Sequence, residues 1–431
     1  MNHALSKIRA RLSFTEILYL AFFISIVCAF RAITSISTGL ILVTGIIQHK
    51  PSFKSLFAKN LRNEFTAGCI LFFLLQIVSL FFTNDMQNGW NDLRLKSGLV
   101  FLPLAILFTG YLNTETLKKL LFYYSLVVTS ASLFLLCAAF NTYLQTHNLS
   151  SFFYYDLVKP FAYHPVYYSV LVFVALVFML ENFINSGSNF SKPLFIAIVI
   201  FLSLFLLLLS SKLVLSFYVV YLIYFLVSWN KKNKKVRFIA YTSITLIILI
   251  SSIMLLTRNP VSDRFRDIVH GNINVLKQES FSPSVYFNGL QFRLLQWKIV
   301  PEILSAKHCW LTGVTAGDAQ AILNHEYLSK NMYSGSPGRS GTGYLGYNTH
   351  SQFLESLLQN GIPGLIAFIL ICVSLIKIAW QGKKRLVSFS IILLLVYSLI
   401  ESLFQEQYGI VILIFLSLFL NQDYKENKPV H

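Results

Sequence analysis

Residues 117–140 read LKKLLFYYSLVVTSASLFLLCAAF. After Lys118 and Lys119, the 21 residues from 120 to 140 carry no formal charge. At 1.5 Å per residue a helix of that length is roughly 30 Å long, the depth of a bilayer's hydrocarbon. The run lacks the period-2 alternation of a barrel strand, and only helices or closed barrels satisfy backbone polar groups in lipid. It therefore reads as a membrane helix. Working outward, eleven more apolar stretches are bounded by polar or Gly/Pro punctuation: Phe14 to Phe30, Ala32 to Gln48, Phe65 to Thr83, Ser97 to Tyr111, Val166 to Asn182, Pro193 to Leu209, Leu213 to Trp229, Val236 to Leu256, Gly361 to Trp380, Leu386 to Phe404 and Tyr408 to Leu420. The expected fold class is an all-α polytopic membrane protein of about twelve transmembrane helices, several of them shorter than the roughly 20 residues that span upright.

Composition agrees. Of 431 residues, 55% are apolar and 12% charged, with mean hydropathy +0.63. A soluble protein needs roughly 25% charged residues to cover its surface, so a soluble enzyme is excluded. The 35 Lys and Arg against 18 Asp and Glu give +17, which in a soluble chain would suggest nucleic acid. Here the basic residues cluster at Lys7, Arg9 and Arg11, at Lys50, Lys54, Lys59 and Arg62, at Lys231, Lys232, Lys234, Lys235 and Arg237, and at Lys383, Lys384 and Arg385. From a cytoplasmic start every cluster falls on one side, as the positive-inside rule requires. The charge is a topology signal, and no nucleic-acid partner is expected. With Arg31 where a small-residue cleavage site would sit, the first apolar run reads as a retained signal anchor.

The threading leaves two long outer segments, 141–165 and 257–349. The expected organisation is an N-terminal bundle of about nine helices over 1–256, an extracytoplasmic loop domain over 257–349, C-terminal helices over 350–420 and a cytoplasmic tail over 421–431. Four cysteines, Cys28, Cys69, Cys137 and Cys372, lie in apolar runs and Cys309 stands alone outside them, so no intramolecular disulfide framework is expected. No CxxC or HExxH spacing suggests a metal, and no cofactor is expected. Gly341, Gly343 and Gly346 form GxGxxG, but no buried strand precedes them and no ribose-binding acid follows in a βαβ unit, so a nucleotide partner is not expected either.

Within the loop domain, Leu290, Leu294, Leu295, Trp297, Ile299 and Val300 predict a short helix entering Pro301. Thr349 and Gln352 have capping-box spacing, which predicts a helix starting at His350. Gly361 supplies a left-handed stop and Pro363 restarts the chain as a membrane helix. His350 would then share a stripe with Phe353, Leu354, Leu357 and Leu358 facing the bundle. On the first turn, the positive end of the helix dipole would keep the imidazole neutral and able to accept a proton, as a general base must. A helix-start histidine that merely bonds a neighbouring backbone group is the plainer alternative.

Outer-side cations run against the prevailing asymmetry: Arg31, Lys212, Arg293 and the group Arg258, Arg264 and Arg266. Lys212 follows Ser210 and Ser211 amid apolar sequence, where a cation needs an anion or must snorkel. Arg293, four residues before Trp297, has the planar fork that suits a diphosphate; an ion pair with Glu302 or Asp267 is the structural alternative. The arginines at 258, 264 and 266 read as a solvated stripe. His164, beside Tyr167 and Tyr168, is a possible sugar contact at an interface that tyrosines often anchor. Glu181, Glu401 and Glu406, near helix ends, are assigned no chemistry.

Arg293 with Trp297, the turn from Trp310 to Gly317, and His350 followed by Phe353, Leu354, Gly361 and Gly364 resemble the O-antigen ligase and O-antigen polymerase superfamily. The resemblance covers the whole topology, with its motifs between Arg293 and Gly364. It implies a C-type glycosyltransferase-like fold in the inner membrane with its site facing the periplasm. The activity it implies moves a glycan from an undecaprenyl diphosphate carrier to an acceptor sugar, such as lipid A core or a growing chain, with inversion and without metal or nucleotide. By position His350 resembles the family's catalytic histidine, Arg293 its loop arginine and Lys212 a family arginine, with Arg31 and His164 as further candidates for substrate binding. Two departures stand out: Lys212 offers a point charge where the family has a fork, and Ser351 follows the histidine where Asn is frequent. A polymerase shares the donor chemistry. A lipid-linked sugar flippase is the rival from another class, disfavoured by the scarcity of midplane charges and of internal repeats. A scaffold of an envelope complex would leave Lys212 and Arg293 unexplained.

Overall fold

The computed structural model describes residues 12–49, 63–110, 112–185, 192–229, 241, 242, 245, 273–335, 342–381 and 384–421. The first three basic clusters, Lys383, all of the stretch Val236 to Leu256 except 241, 242 and 245, Arg258, Arg264, Arg266 and Gly341 lie outside these residues.

Among the described residues every regular element is helical. In chain order these are α1 (Phe14–Val27), α2 (Arg31–His49), α3 (Glu64–Leu80), α4 (Met86–Lys96), α5 (Gly98–Phe108), α6 (Thr114–Thr146), α7 (Tyr154–Val158), α8 (Pro165–Asn185), α9 (Lys192–Leu208), α10 (Lys212–Trp229), α11 (Gly289–Ala306), α12 (Ala319–Ser329), α13 (Gln352–Gln381), α14 (Arg385–Ile400) and α15 (Gln407–Ile414), which runs on through a π turn to Phe419. Every predicted apolar stretch that is described carries a helix. By length and composition four are able to cross a membrane, within α2, α6, α8 and α13, and six shorter apolar helices accompany them.

Local chemistry sets the helix starts. The Glu16 amide donates to Ser13 Oγ and the Ser13 amide to Glu16 Oε2, a reciprocal cap that opens α1. Glu16 then pairs with Lys119 at 3.1 Å, joining α1 to α6. α8 is the central post of the bundle, with Val170 to Val177 entirely buried. Tyr124 donates to the Leu171 carbonyl at 2.8 Å, and the hydroxyls of Ser132 and Tyr168 meet at 3.1 Å. The phenols of Tyr124 and Tyr168 thereby avoid the penalty of an unpaired polar group in an apolar interior. Around it, Tyr19, Phe23, Tyr124, Phe415 and Phe419 form an edge-packed aromatic cluster.

A second, smaller core is made by α11, α12 and the first half of α13, with Phe292, Leu295, Ile299, Val300, Leu323, Tyr327 and Leu358 at its centre. α13 therefore serves both cores. It breaks at Asn360 (φ −127°, ψ 15°) and Gly361 (φ 61°, ψ −157°), the stop and restart expected there. Two glycines lock the break. A Cβ on Gly361 would sit 2.5 Å from the Leu311 carbonyl carbon, and one on Gly313 (φ 70°) 2.5 Å from that of Gln359. The Trp310 to Gly317 turn is thus pressed onto the break, with the Val314 amide donating to the Leu358 carbonyl and the Ile362 amide to that of Trp310. Asp318 fastens the far end of the turn, accepting from the amides of Asn84 and Asp85 at 2.9 Å each.

Three local expectations are corrected. α11 starts from an Asn288–Gln291 capping box and continues through Pro301 to Ala306. α13 starts at Gln352, not His350, and Thr349 and Gln352 form no capping box: the Thr349 hydroxyl donates to Glu355 and the Gln352 side chain receives the Phe404 amide. The fully buried face of the first turns of α13 carries Gln352, Glu355, Ser356 and Gln359 as well as Leu357 and Leu358, while Phe353 and Leu354 are only half-buried.

Candidate active site

His350 occupies the turn before α13. Its amide donates to Asn348 Oδ1 at 2.9 Å, and its backbone is left-handed (φ 47°), a conformation uncommon outside glycine, asparagine and aspartate. The ring lies against Phe292 and Tyr347, each centroid 5.6 Å away. Nδ1 is buried and faces Glu401 Oε1 at 3.4 Å, too long for a well-formed hydrogen bond. Because His350 precedes the helix and faces a carboxylate, the helix-dipole argument for its protonation state does not apply.

Glu401 is the residue that sequence reasoning missed. It follows α14 in extended backbone (φ −153°) and meets two basic side chains from separate parts of the chain. His350 is at 3.4 Å and the Arg293 Nη2 at 3.7 Å. His164, in the loop before α8, adds an electrostatic influence. Burial opposes ionisation of Glu401, but His350 beside it and the electrostatic influence of His164 and Arg293 outweigh that and hold its carboxyl below the usual range.

Arg293 is fixed by its fork. Nε donates to the Ile400 carbonyl at 2.7 Å and Nη1 to that of Gly289 at 2.7 Å. Its ion-pair partner is Glu401; Glu302 pairs instead with Lys298 and Lys330. At His164, Nε2 lies 2.9 Å from the Tyr155 hydroxyl and Nδ1 accepts the Val166 amide at 3.4 Å. Burial raises the pKa of Tyr155, so the phenol keeps its proton.

Arg31 pairs with Glu406 at 3.4 Å and lies over the Tyr408 ring. Glu406 is on the segment that carries Glu401, which puts Arg31 on that segment's exposed side. Burial raises the Glu406 pKa against the influence of Arg31. Lys212 is half-buried at the head of α10, past the buried Ser210 and Ser211, on a different hairpin from the elements carrying His350 and Arg293. His350 and Arg293 therefore meet at Glu401, and Arg31 pairs with Glu406 on the same segment.

An all-helical chain with membrane-length apolar helices here gathers a histidine, a carboxylate and an arginine, the groups that proton transfer beside a fixed cation requires. Residues 196–369 match the family model described as O-antigen ligase, and over that stretch the chain is similar to that family. The match includes Lys212, Arg293 and His350, while Glu401, His164 and Arg31 lie outside it. No curated protein matches the sequence. The family implies a glycosyltransferase-type membrane enzyme acting on lipid-linked sugars.

Proposed function

We propose that the chain is an inner-membrane glycosyltransferase of the O-antigen ligase type. Its about twelve spans would carry an extracytoplasmic domain over 257–349, with the site facing the periplasm. The donor is a glycan on undecaprenyl diphosphate, and the acceptor is a sugar hydroxyl of lipid A core. With Glu401 facing Nδ1, the other ring nitrogen of His350 takes the hydroxyl proton. The hydroxyl oxygen then bonds to the anomeric carbon, and the bond from that carbon to the diphosphate breaks on the opposite face. The electron pair leaves on the diphosphate, and the anomeric configuration inverts. Glu401 stabilises the imidazolium as it forms. Arg293 and Lys212 stabilise charge growing on the diphosphate, which leaves without protonation. Arg31 and His164 line the approach of substrate.

The convergence of His350, Glu401 and Arg293 is the observation that carries this reading. The test is transfer by purified protein in lipid nanodiscs, supplied with undecaprenyl diphosphate-linked glycan and lipid A core. His350→Ala should lose on the order of a hundredfold or more in rate. Near-normal transfer by that variant, correctly folded, removes His350 as the base. Chain growth on the carrier in place of transfer to lipid A core would make the enzyme a polymerase with the same chemistry. Movement of the carrier across liposomes with no new glycosidic bond would make it a flippase.

A further inference from the structure

The facing side chains His350 and Glu401 sit on two segments, 348–351 and 401–406, and neither residue lies within an α-helix. Helical hydrogen bonding therefore does not set their separation. A single carboxylate, that of Glu355, reaches both segments. Its Oε2 accepts from the Thr349 amide at 3.2 Å and the Thr349 hydroxyl at 2.8 Å, and Thr349 adjoins His350. Its Oε1 accepts from Gln405 Nε2 at 3.1 Å, four residues beyond Glu401, and from Gln359 Nε2 at 2.8 Å. Glu355 is 3% exposed. Parallel ties follow the same line: Gln352 Oε1 accepts the Phe404 amide at 2.7 Å, and the hydroxyls of Thr349 and Ser402 are 3.3 Å apart. Behind Glu355, Gln359 Oε1 accepts from Lys96 Nζ at 2.6 Å, and Lys96 is itself paired with Asp92 in the interior. The cluster is anchored in α4 as well as α13.

We propose that Glu355 is a positioning residue, holding the histidine segment and the Glu401 segment at the separation at which the imidazole meets its carboxylate. The proposal rests on the reading of His350 as the base. Glu355 is buried behind both segments and acts through them, without touching substrate. Four donors converge on its two oxygens, so an amide in its place must turn an N–H₂ group toward donors on one side. One of the two segments then loses its tie. Misplacement of a reacting group by about 1 Å is enough to cost on the order of a hundredfold in rate.

The experiment measures kcat and KM for glycan transfer by Glu355→Gln and Gln405→Ala, alone and combined with Glu401→Gln. In the otherwise wild-type protein each should lower kcat, roughly tenfold or more for Glu355→Gln, with the donor KM within about twofold. In the Glu401→Gln background the same changes should lose less than about threefold, because the pair they position is already gone. Equal losses in both backgrounds would reduce Glu355 to general support of the fold and overturn the proposal, as would a correctly folded Glu355→Gln enzyme at full kcat. Should Glu355→Gln fail to fold, Gln405→Ala decides alone, and an unchanged kcat overturns the proposal. His350→Ala separates the two ideas: if it is inactive while Glu355→Gln and Gln405→Ala are fully active, only the positioning role falls, whereas an active His350→Ala removes the base itself.

Discussion

Glu401→Gln leaves the shape of the side chain nearly unchanged and removes its charge. In the proposed mechanism the charge matters most when His350 has just taken a proton and become imidazolium. Two unit charges 3.4 Å apart at an effective dielectric constant of about 20 attract by roughly 5 kcal/mol. Two corrections reduce the loss: the glutamine still offers an oxygen to Nδ1, and the two side chains are 20% and 12% exposed, so water screens part of the attraction. About 2 to 4 kcal/mol remains, which is roughly a thirtyfold to thousandfold fall in kcat. The assay is single-turnover transfer of a labelled glycan from carrier to acceptor in nanodiscs, so that the chemical step is read apart from product release. KM for the donor should hardly move. A fall of less than threefold, in protein with the thermal stability of wild type, would mean that the carboxylate does not assist His350.

Other substitutions read other parts of the same architecture. Arg293→Lys should lower transfer about tenfold or more, because one ammonium cannot replace a fork that meets the Gly289 and Ile400 carbonyls and Glu401 together; wild-type kinetics would argue against a role that depends on the fork. Gly361→Ala should destabilise by about 2 to 4 kcal/mol, combining a left-handed backbone with a Cβ 2.5 Å from Leu311, and a melting temperature equal to that of wild type would contradict the interlock. Asp318→Asn should cost about 1 to 3 kcal/mol at neutral pH by unpairing donors at the α3–α4 connection. Burial works against the Asp318 carboxylate, but the Asn84 and Asp85 amides and the Thr315 hydroxyl hold its pKa below the ordinary 3.8. Its contribution is therefore full above that value and lost as pH falls through the lower folded one. The difference in thermal stability between wild type and Asp318→Asn should stay constant down to about pH 4 and close only in stronger acid; a gap that closes between pH 7 and 5 would rule out Asp318 as its source.

The helices were legible because hydropathy is a property of contiguous residues, and the break at Gly361 because glycine there meets a real steric need. Arg293 and His350 were legible as cations and bases on the outer side of the threading. Glu401 was not, because its meaning depends on a histidine 51 positions earlier in the sequence, and a carboxylate next to a helix end ordinarily reads as solvated. The polar stripe of Gln352, Glu355, Ser356 and Gln359 has the spacing of a solvent-facing helix edge, yet it is buried because α4 and the 401–406 segment bring partners to it. The same contact undid the expected cap: Thr349 had a nearby glutamine at the right spacing, but a buried carboxylate competes more strongly for its hydroxyl. Pairwise spacing predicts what a helix does by itself, and these residues answer to neighbours that only the tertiary fold supplies.

The interlock of Gly313 and Gly361 also constrains how the protein is made. The Trp310 to Gly313 turn leaves the ribosome about fifty residues ahead of the helix break that it grips, an interval of roughly 2.5 to 10 seconds at ordinary rates of synthesis. Throughout that interval its backbone partners do not yet exist, so the turn must wait undocked, with the Trp310 carbonyl and the Val314 amide without the partners they have in the folded protein. The final seating of this enzyme is therefore a late event in biogenesis, gated by arrival of the helix that closes over it.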